Sequence, residues 1–292
     1  VSRTIDFSGV WIPVVTPFRD HHVDHAALGA LVERLSGQGV AGFVVCATTG
    51  EAALLSDAER VDVLGTVQAH TALPTIMGAS GTTADEVLRR VDAAMRHAPT
   101  AFMATPPPYL RPSQAALETF FTTIADALPA LLVVYDIPAR TGVRIELGTL
   151  LALAAHPRIV ALKDCGGRVE QTEALIADGR LQVLCGNDNE WFSSRCLGGA
   201  GAIAASAHLR TDLFVAFDQA LARGDLVTGR ALWRVLKPLA VGLFDEPSPG
   251  PLKAVLAAQG ECADELRAPL TSASPALRER LQVLVAGLPA AA

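Results

Sequence analysis

The 292 residues are half apolar and only 18% charged, with a mean hydropathy of +0.34. That is enough to bury a large core, and one domain of this length is compatible with an α/β barrel. A net charge of −6 and an isoelectric point near 5.6 argue against a nucleic-acid binder and against attraction to anionic membrane surfaces.

No uninterrupted apolar stretch reaches the roughly 18 residues of a membrane span. The opening "VSRTIDFSGVW" lacks the basic end and long apolar segment of a leader. Cys46, Cys165, Cys185, Cys196 and Cys262 are scattered, odd in number and form no C-x-x-C. They read as reduced thiols, so a cytoplasmic location is expected.

Along the chain, short apolar runs alternate with longer helical patterns. The expected strands are "VWIPVVT" (10–16), "GFVVCA" (42–47), "PTIMGA" (74–79), "TAFMAT" (100–105), "LLVVYD" (131–136), "IVALKD" (159–164), "LQVLCG" (181–186) and "GAIAAS" (201–206). Between them lie amphipathic segments such as 24–39 and 56–70. The second opens on Ser56 with Glu59 three residues on, the pattern of a capping box. Strands apolar on both sides, each followed by a helix, indicate a parallel sheet covered by helices, and eight such units indicate a closed (β/α)8 barrel. Beyond it the sequence predicts helices over 211–223, 225–242, 250–259 and 275–288, interrupted by the proline-rich "FDEPSPGP". The expected organisation is a catalytic barrel over 1–224 and a C-terminal helical region over 225–292.

In such a barrel the reactive groups sit where strands end and βα loops begin. Thr48, Thr49, Gly50 and Glu51 follow the second strand, and Tyr109 follows the fourth. Tyr135 and Asp136 end the fifth, with Arg140 just beyond; Lys163 ends the sixth, and Gly186, Asn187 and Asp188 the seventh. Both tyrosines of the chain therefore fall at strand ends.

Lys163 follows directly on Ile159–Leu162, in a run that reads as buried. A desolvated amine has a lowered pKa and, once neutral, attacks a ketone to form a Schiff base. From position alone the alternative is a rim lysine reaching water or a loop carboxylate.

Six segments bear on that choice: "TTGEAALLSDAER", "YLRPSQ", "YDIPARTG", "LKDCGG", "GND" and "EPSPGPLK". In order and spacing they resemble the pyruvate-dependent class I aldolases, the family of dihydrodipicolinate synthase and N-acetylneuraminate lyase, over nearly the whole chain. The resemblance implies a (β/α)8 barrel with a C-terminal helical region. Lys163 would form a Schiff base with pyruvate, and no cofactor beyond that covalent link would be needed. Tyr135 would move protons, in a relay with Thr49 and with Tyr109 reaching in from a neighbouring subunit. The backbone N–H groups of Thr48 and Thr49 would hold the pyruvate carboxylate, and Gly186 and Ile203 would complete the substrate-binding set. A tyrosine lent across an interface implies at least a dimer, and the resemblance suggests a tetramer.

Arg140 resembles the arginine with which the synthases clamp the carboxylate of aspartate semialdehyde, a task suited to the planar guanidinium fork. The expected partners are thus pyruvate and an aldehyde, with condensation to 4-hydroxy-tetrahydrodipicolinate. The alternatives are an aldolase or dehydratase acting on a keto sugar acid or hydroxy-oxoglutarate, and a non-catalytic paralogue that holds a keto acid.

Several positions depart from the family pattern. Pro108 stands for a tyrosine, Asp136 for an asparagine and Ala52 for a serine, and Asp136 is expected to add negative charge near Arg140. At the places where lysine-inhibited synthases bind lysine, the chain has Ala52, Arg60, Thr82 and Pro108, with only Glu86 kept. Insensitivity to lysine is therefore expected, with Arg60 also placing a positive charge near the lysine ammonium. "HHVDH" (21–25) is expected to be a solvated loop rather than a metal site. "GGAGA" (198–202) is expected to serve close packing rather than phosphate binding. Cys165 is assigned no role.

Overall fold

The computed structural model describes residues 5–289. Eight parallel strands close into a barrel: β1 (Gly9–Pro13), β4 (Gly42–Val45), β5 (Thr75–Gly78), β6 (Ala101–Ala104), β7 (Leu131–Asp136), β8 (Ile159–Asp164), β9 (Gln182–Cys185) and β10 (Gly201–Ile203). β7 and β8 have the bounds expected from sequence. The other six are shorter, because an apolar run records burial rather than ladder pairing. Val14, Val15 and Thr16 after β1, and Cys46 and Ala47 after β4, remain buried although the chain has already left the strand.

Two short strands, β2 (Phe18–Arg19) and β3 (His22–Val23), form an antiparallel hairpin. Its turn residues Asp20 and His21 have φ 51° and 67°, both in the left-handed region, as in a type I′ turn. "HHVDH" thus begins within the turn of this hairpin, with all three histidines exposed. His25 Nδ1 lies 2.6 Å from Thr66 Oγ1. The usual Asn-Gly signature is absent, which is why sequence reading missed the turn.

The chain divides into two compact units, one comprising the segment up to Gly9 and Ala79–Ile203, the other Val10–Gly78 and Ala204 onward. In the first, β6 to β10 pair in parallel, with Tyr135 opposite Lys163, and Asp136 opposite Asp164. Phe102, Phe121 and Trp191 fill its interior. A Cβ on Gly201 would lie 2.0 Å from the Gly9 carbonyl oxygen, and one on Gly199 2.7 Å from Ser194 Oγ, so close packing accounts for "GGAGA".

In the second unit, β1 pairs with β4 and β4 with β5. Helix Asp57–Ala69 opens on the expected capping box: Ser56 Oγ accepts from the Glu59 N–H, and Glu59 accepts from the Ser56 N–H. Arg267 beside it holds the Glu59 carboxyl down at about 2. The four C-terminal helices are Thr211–Ala222, Leu226–Gly242, Gly250–Ala258 and Pro275–Ala286. Each matches its sequence expectation to within about two residues at either end, the usual uncertainty of helix boundaries. Phe217 and Trp233 stack at 5.1 Å between the first two.

Candidate active site

In the first unit the alternation of β7 and β8 places Tyr135 and Lys163 on one face, and Asp136 and Asp164 on the other. Lys163 is 4% exposed, and its Nζ lies 4.3 Å from the centroid of the Tyr135 ring. Burial pulls the amine's pKa down. The charge of Arg140 acts in the same direction, and Asp188 opposes both. The neighbouring thiols oppose little at neutral pH, since burial pushes Cys165 up to about 12 and Cys185 well above its ordinary range, leaving both uncharged.

Gly186 is required where it stands: a Cβ there would lie 2.4 Å from Cys165 Sγ and 3.0 Å from Lys163 Cε. Cys165 therefore belongs to this cluster, with Sγ 4.0 Å from Tyr135 Oη. Its sequence neighbours gave no sign of this, because the contact is with a phenol 30 positions away. Ile203 is buried in β10, whose neighbour Ala202 pairs with Cys185.

Arg140 rides on the short helix Pro138–Thr141, closed by Gly142 in the left-handed region (φ 75°). It is exposed, as a group that meets a soluble substrate must be. Tyr109 is 91% exposed with φ 71°.

Asp136 corrects an expectation. Its side chain turns away from the Tyr135 face, and Oδ1 accepts from the Ile145 N–H at 3.1 Å. Its other oxygen is buried without a hydrogen-bond partner. Burial, reinforced by Asp164 and opposed by Arg144, raises the carboxyl to about 7. It therefore adds far less negative charge near Arg140 than a free aspartate would.

Thr48 and Thr49 belong to the second unit, in the turn after β4; Thr49 is 6% exposed. Gly50 closes the turn, its carbonyl accepting from Thr16 Oγ1 at 2.7 Å. A Cβ at Gly50 would stand 3.0 Å from the Val14 carbonyl oxygen. Arg60 is also corrected: its guanidinium is buried and donates to the Ala52 carbonyl at 2.5 Å, so it is not presented to a ligand. In the first unit both oxygens of Glu86 are engaged, one by the Thr82 N–H and the other by Arg90, each at 2.7 Å.

Among the described residues no helix is long and apolar enough to cross a membrane, and none of the five cysteines forms a disulfide.

A closed parallel (β/α)8 barrel with a buried lysine beside a tyrosine at adjacent strand ends defines an enzyme scaffold of the aldolase type. The sequence model of the dihydrodipicolinate synthetase family matches residues 6–287, and the chain belongs to that family. It is 36% identical over 283 residues to the 4-hydroxy-tetrahydrodipicolinate synthase of Limosilactobacillus fermentum, covering 94% of this chain and 90% of that one. It also superposes on a dihydrodipicolinate synthase from Acinetobacter baumannii, described as chloride-inhibited and complexed with pyruvate. There the TM-score is 0.92 at 30% identity, over 96% of this chain and 98% of the other. A dihydrodipicolinate synthase described as the first monomeric variant superposes with a TM-score of 0.94 at 28% identity, over 98% of both chains.

Proposed function

We propose that the chain is a lyase that condenses pyruvate with aspartate semialdehyde to 4-hydroxy-tetrahydrodipicolinate, on the route to diaminopimelate and lysine. The observation that carries this reading is Lys163: an amine whose pKa is lowered by burial, against a phenol, at the end of a barrel strand. Its free electron pair adds to the keto carbon of pyruvate. The carbinolamine loses water to give the imine, and loss of a methyl proton gives the enamine that attacks the aldehyde carbon. The aldehyde substrate's own amino group then displaces Lys163 from the imine carbon as the ring closes, freeing the amine. The imine itself is the electron sink, so this chemistry calls for no dissociable cofactor.

Tyr135 is assigned the proton transfers, with Thr49 and a neighbouring subunit's Tyr109 as its relay. The full exposure of Tyr109 supports that role and, with it, an assembly of at least two chains. Thr48 and Thr49 are assigned the pyruvate carboxylate, Arg140 that of the aldehyde, and Gly186 and Ile203 the walls. The Acinetobacter protein's complex with pyruvate supports the first substrate.

Pyruvate plus borohydride should add one reduced pyruvyl mass to the peptide bearing Lys163. Peptide mapping with no adduct, or with the adduct elsewhere, would overturn the reading.

Arg140→Ala should leave that adduct intact and lower turnover with aspartate semialdehyde roughly ten- to a hundredfold. A lost charge-assisted contact of about 1.5–3 kcal/mol gives that range. Unchanged turnover would mean that Arg140 does not hold the carboxylate of the second substrate.

Lysine at millimolar concentration should not inhibit. Glu86 is already spent on Thr82 and Arg90, Arg60 is turned inward, and Pro108 offers no hydroxyl. An inhibition titration with a sub-millimolar midpoint would contradict this.

A further inference from the structure

The turn after β4 is strained at both ends. Cys46 (φ 53°) and Glu51 (φ 54°, ψ 33°) bracket Thr48 and Thr49, and both sit in the left-handed region without being glycine. Such conformations persist only where the surroundings over-determine them, and they gather at functional sites.

What holds this turn comes from far along the chain, within the same compact unit. Glu51 is 3% exposed, and each of its carboxylate oxygens is held. Lys253 Nζ donates to Oε1 at 2.5 Å, and the Arg267 N–H donates to Oε2 at 3.1 Å. Lys253 is fully buried; its Nζ also donates to the Glu265 carbonyl at 2.8 Å and stands 4.3 Å over the Phe18 ring. The Arg267 guanidinium lies 4.6 Å over the same ring and donates to the Leu54 carbonyl at 2.9 Å. A buried ion pair contributes little net stability compared with apolar residues of the same volume. Its value is geometric: Glu51 cannot leave its position without stranding a buried ammonium.

We propose that the Glu51–Lys253 pair is a positioning device that holds the Thr48–Thr49 turn in its strained form, with its backbone N–H groups set for a carboxylate. The inference rests on the assignment of Thr48 and Thr49 to pyruvate. Neither Glu51 nor Lys253 touches substrate in this account; both act through the backbone of the turn. A merely structural pair would set the melting temperature alone. A positioning pair also sets the affinity for pyruvate.

The test is a titration of borohydride trapping against pyruvate concentration, in the full-length protein. The double variant Glu51→Leu/Lys253→Met removes both charges together, so that neither is left buried alone. It should fold, form the adduct on Lys163 at saturating pyruvate, and need about tenfold more pyruvate for half-maximal trapping. Glu51→Gln keeps the shape and acceptor oxygen and should fall between the double variant and the unaltered protein. If the double variant does not fold, the Gln variant decides by the same readout. An unchanged half-saturation in a folded variant would overturn the proposal. Absence of an adduct in the unaltered protein would instead remove the assignment on which it rests.

Discussion

Lys163→Met is expected to abolish turnover and at the same time raise the melting temperature. The first effect follows from the chemistry: a thioether cannot add to a ketone, and loss of a covalent nucleophile costs on the order of a thousandfold or more. The second follows from burial. The amine is 4% exposed and its pKa is lowered by desolvation. Between its folded pKa and the unfolded value of 10.5 the unfolded chain binds the extra proton, so stability rises with pH across that window. At neutral pH the unfolded state therefore gains a solvated ammonium that the native site does not welcome. Methionine has a similar length and no such penalty. A gain of about 1 kcal/mol, or roughly 2–4 °C, is expected, in keeping with the usual exchange of stability for activity at a site. Calorimetry and a coupled assay on the same preparation check both. Turnover within tenfold of the unaltered protein would rule out Lys163 as the nucleophile.

Asp136→Asn should stabilise the protein progressively as pH rises from about 4 to 7 and by a constant amount above that. The carboxyl is fully buried and raised to about 7, against 3.8 for its ordinary value. Below pH 4 it is protonated in both states and costs nothing. Between pH 4 and 7 the native state keeps a proton that the unfolded state has released, so stability falls with rising pH. A shift of roughly three units corresponds to about 4 kcal/mol as an order of magnitude. Asparagine keeps the acceptor for the Ile145 N–H and removes the titration. Urea unfolding of both proteins at pH 5 and pH 8.5 should show a difference that widens at the higher pH. A difference independent of pH would mean that Asp136 is ionised throughout.

The barrel was legible because each strand is a compact apolar run followed by a helical period, and β7 and β8 match their runs to the residue. The ends of the other strands were not, since burial continues into the loops after pairing has stopped. Lys163 and Tyr135 were legible as polar residues ending apolar strands, and their adjacency follows from parallel register. The direction of Asp136 was legible in principle, because alternation along β7 turns it away from the face that carries Tyr135. The Cys165 contact with Tyr135 and the pairing of Glu51 with Lys253 were not legible. The first depends on how closely two strand ends approach at Gly186. The second joins residues separated by 202 positions, with no local pattern to announce it.

The hairpin at residues 18–23 bears on the order in which the chain can assemble. Its turn is fastened by groups near the other terminus: the His21 N–H donates to Glu265 at 2.7 Å, and the His21 carbonyl accepts from Arg267 at 3.1 Å. During synthesis the ribosome delivers residue 21 long before residues 265 and 267 exist. The early hairpin must therefore wait in an unfastened state until the last tenth of the chain emerges. Contacts of such long sequence separation carry a high entropic cost of closure, which places their formation late and makes folding slow. A nascent chain cut short after residue 250 would retain every strand of the barrel and yet lack both fasteners.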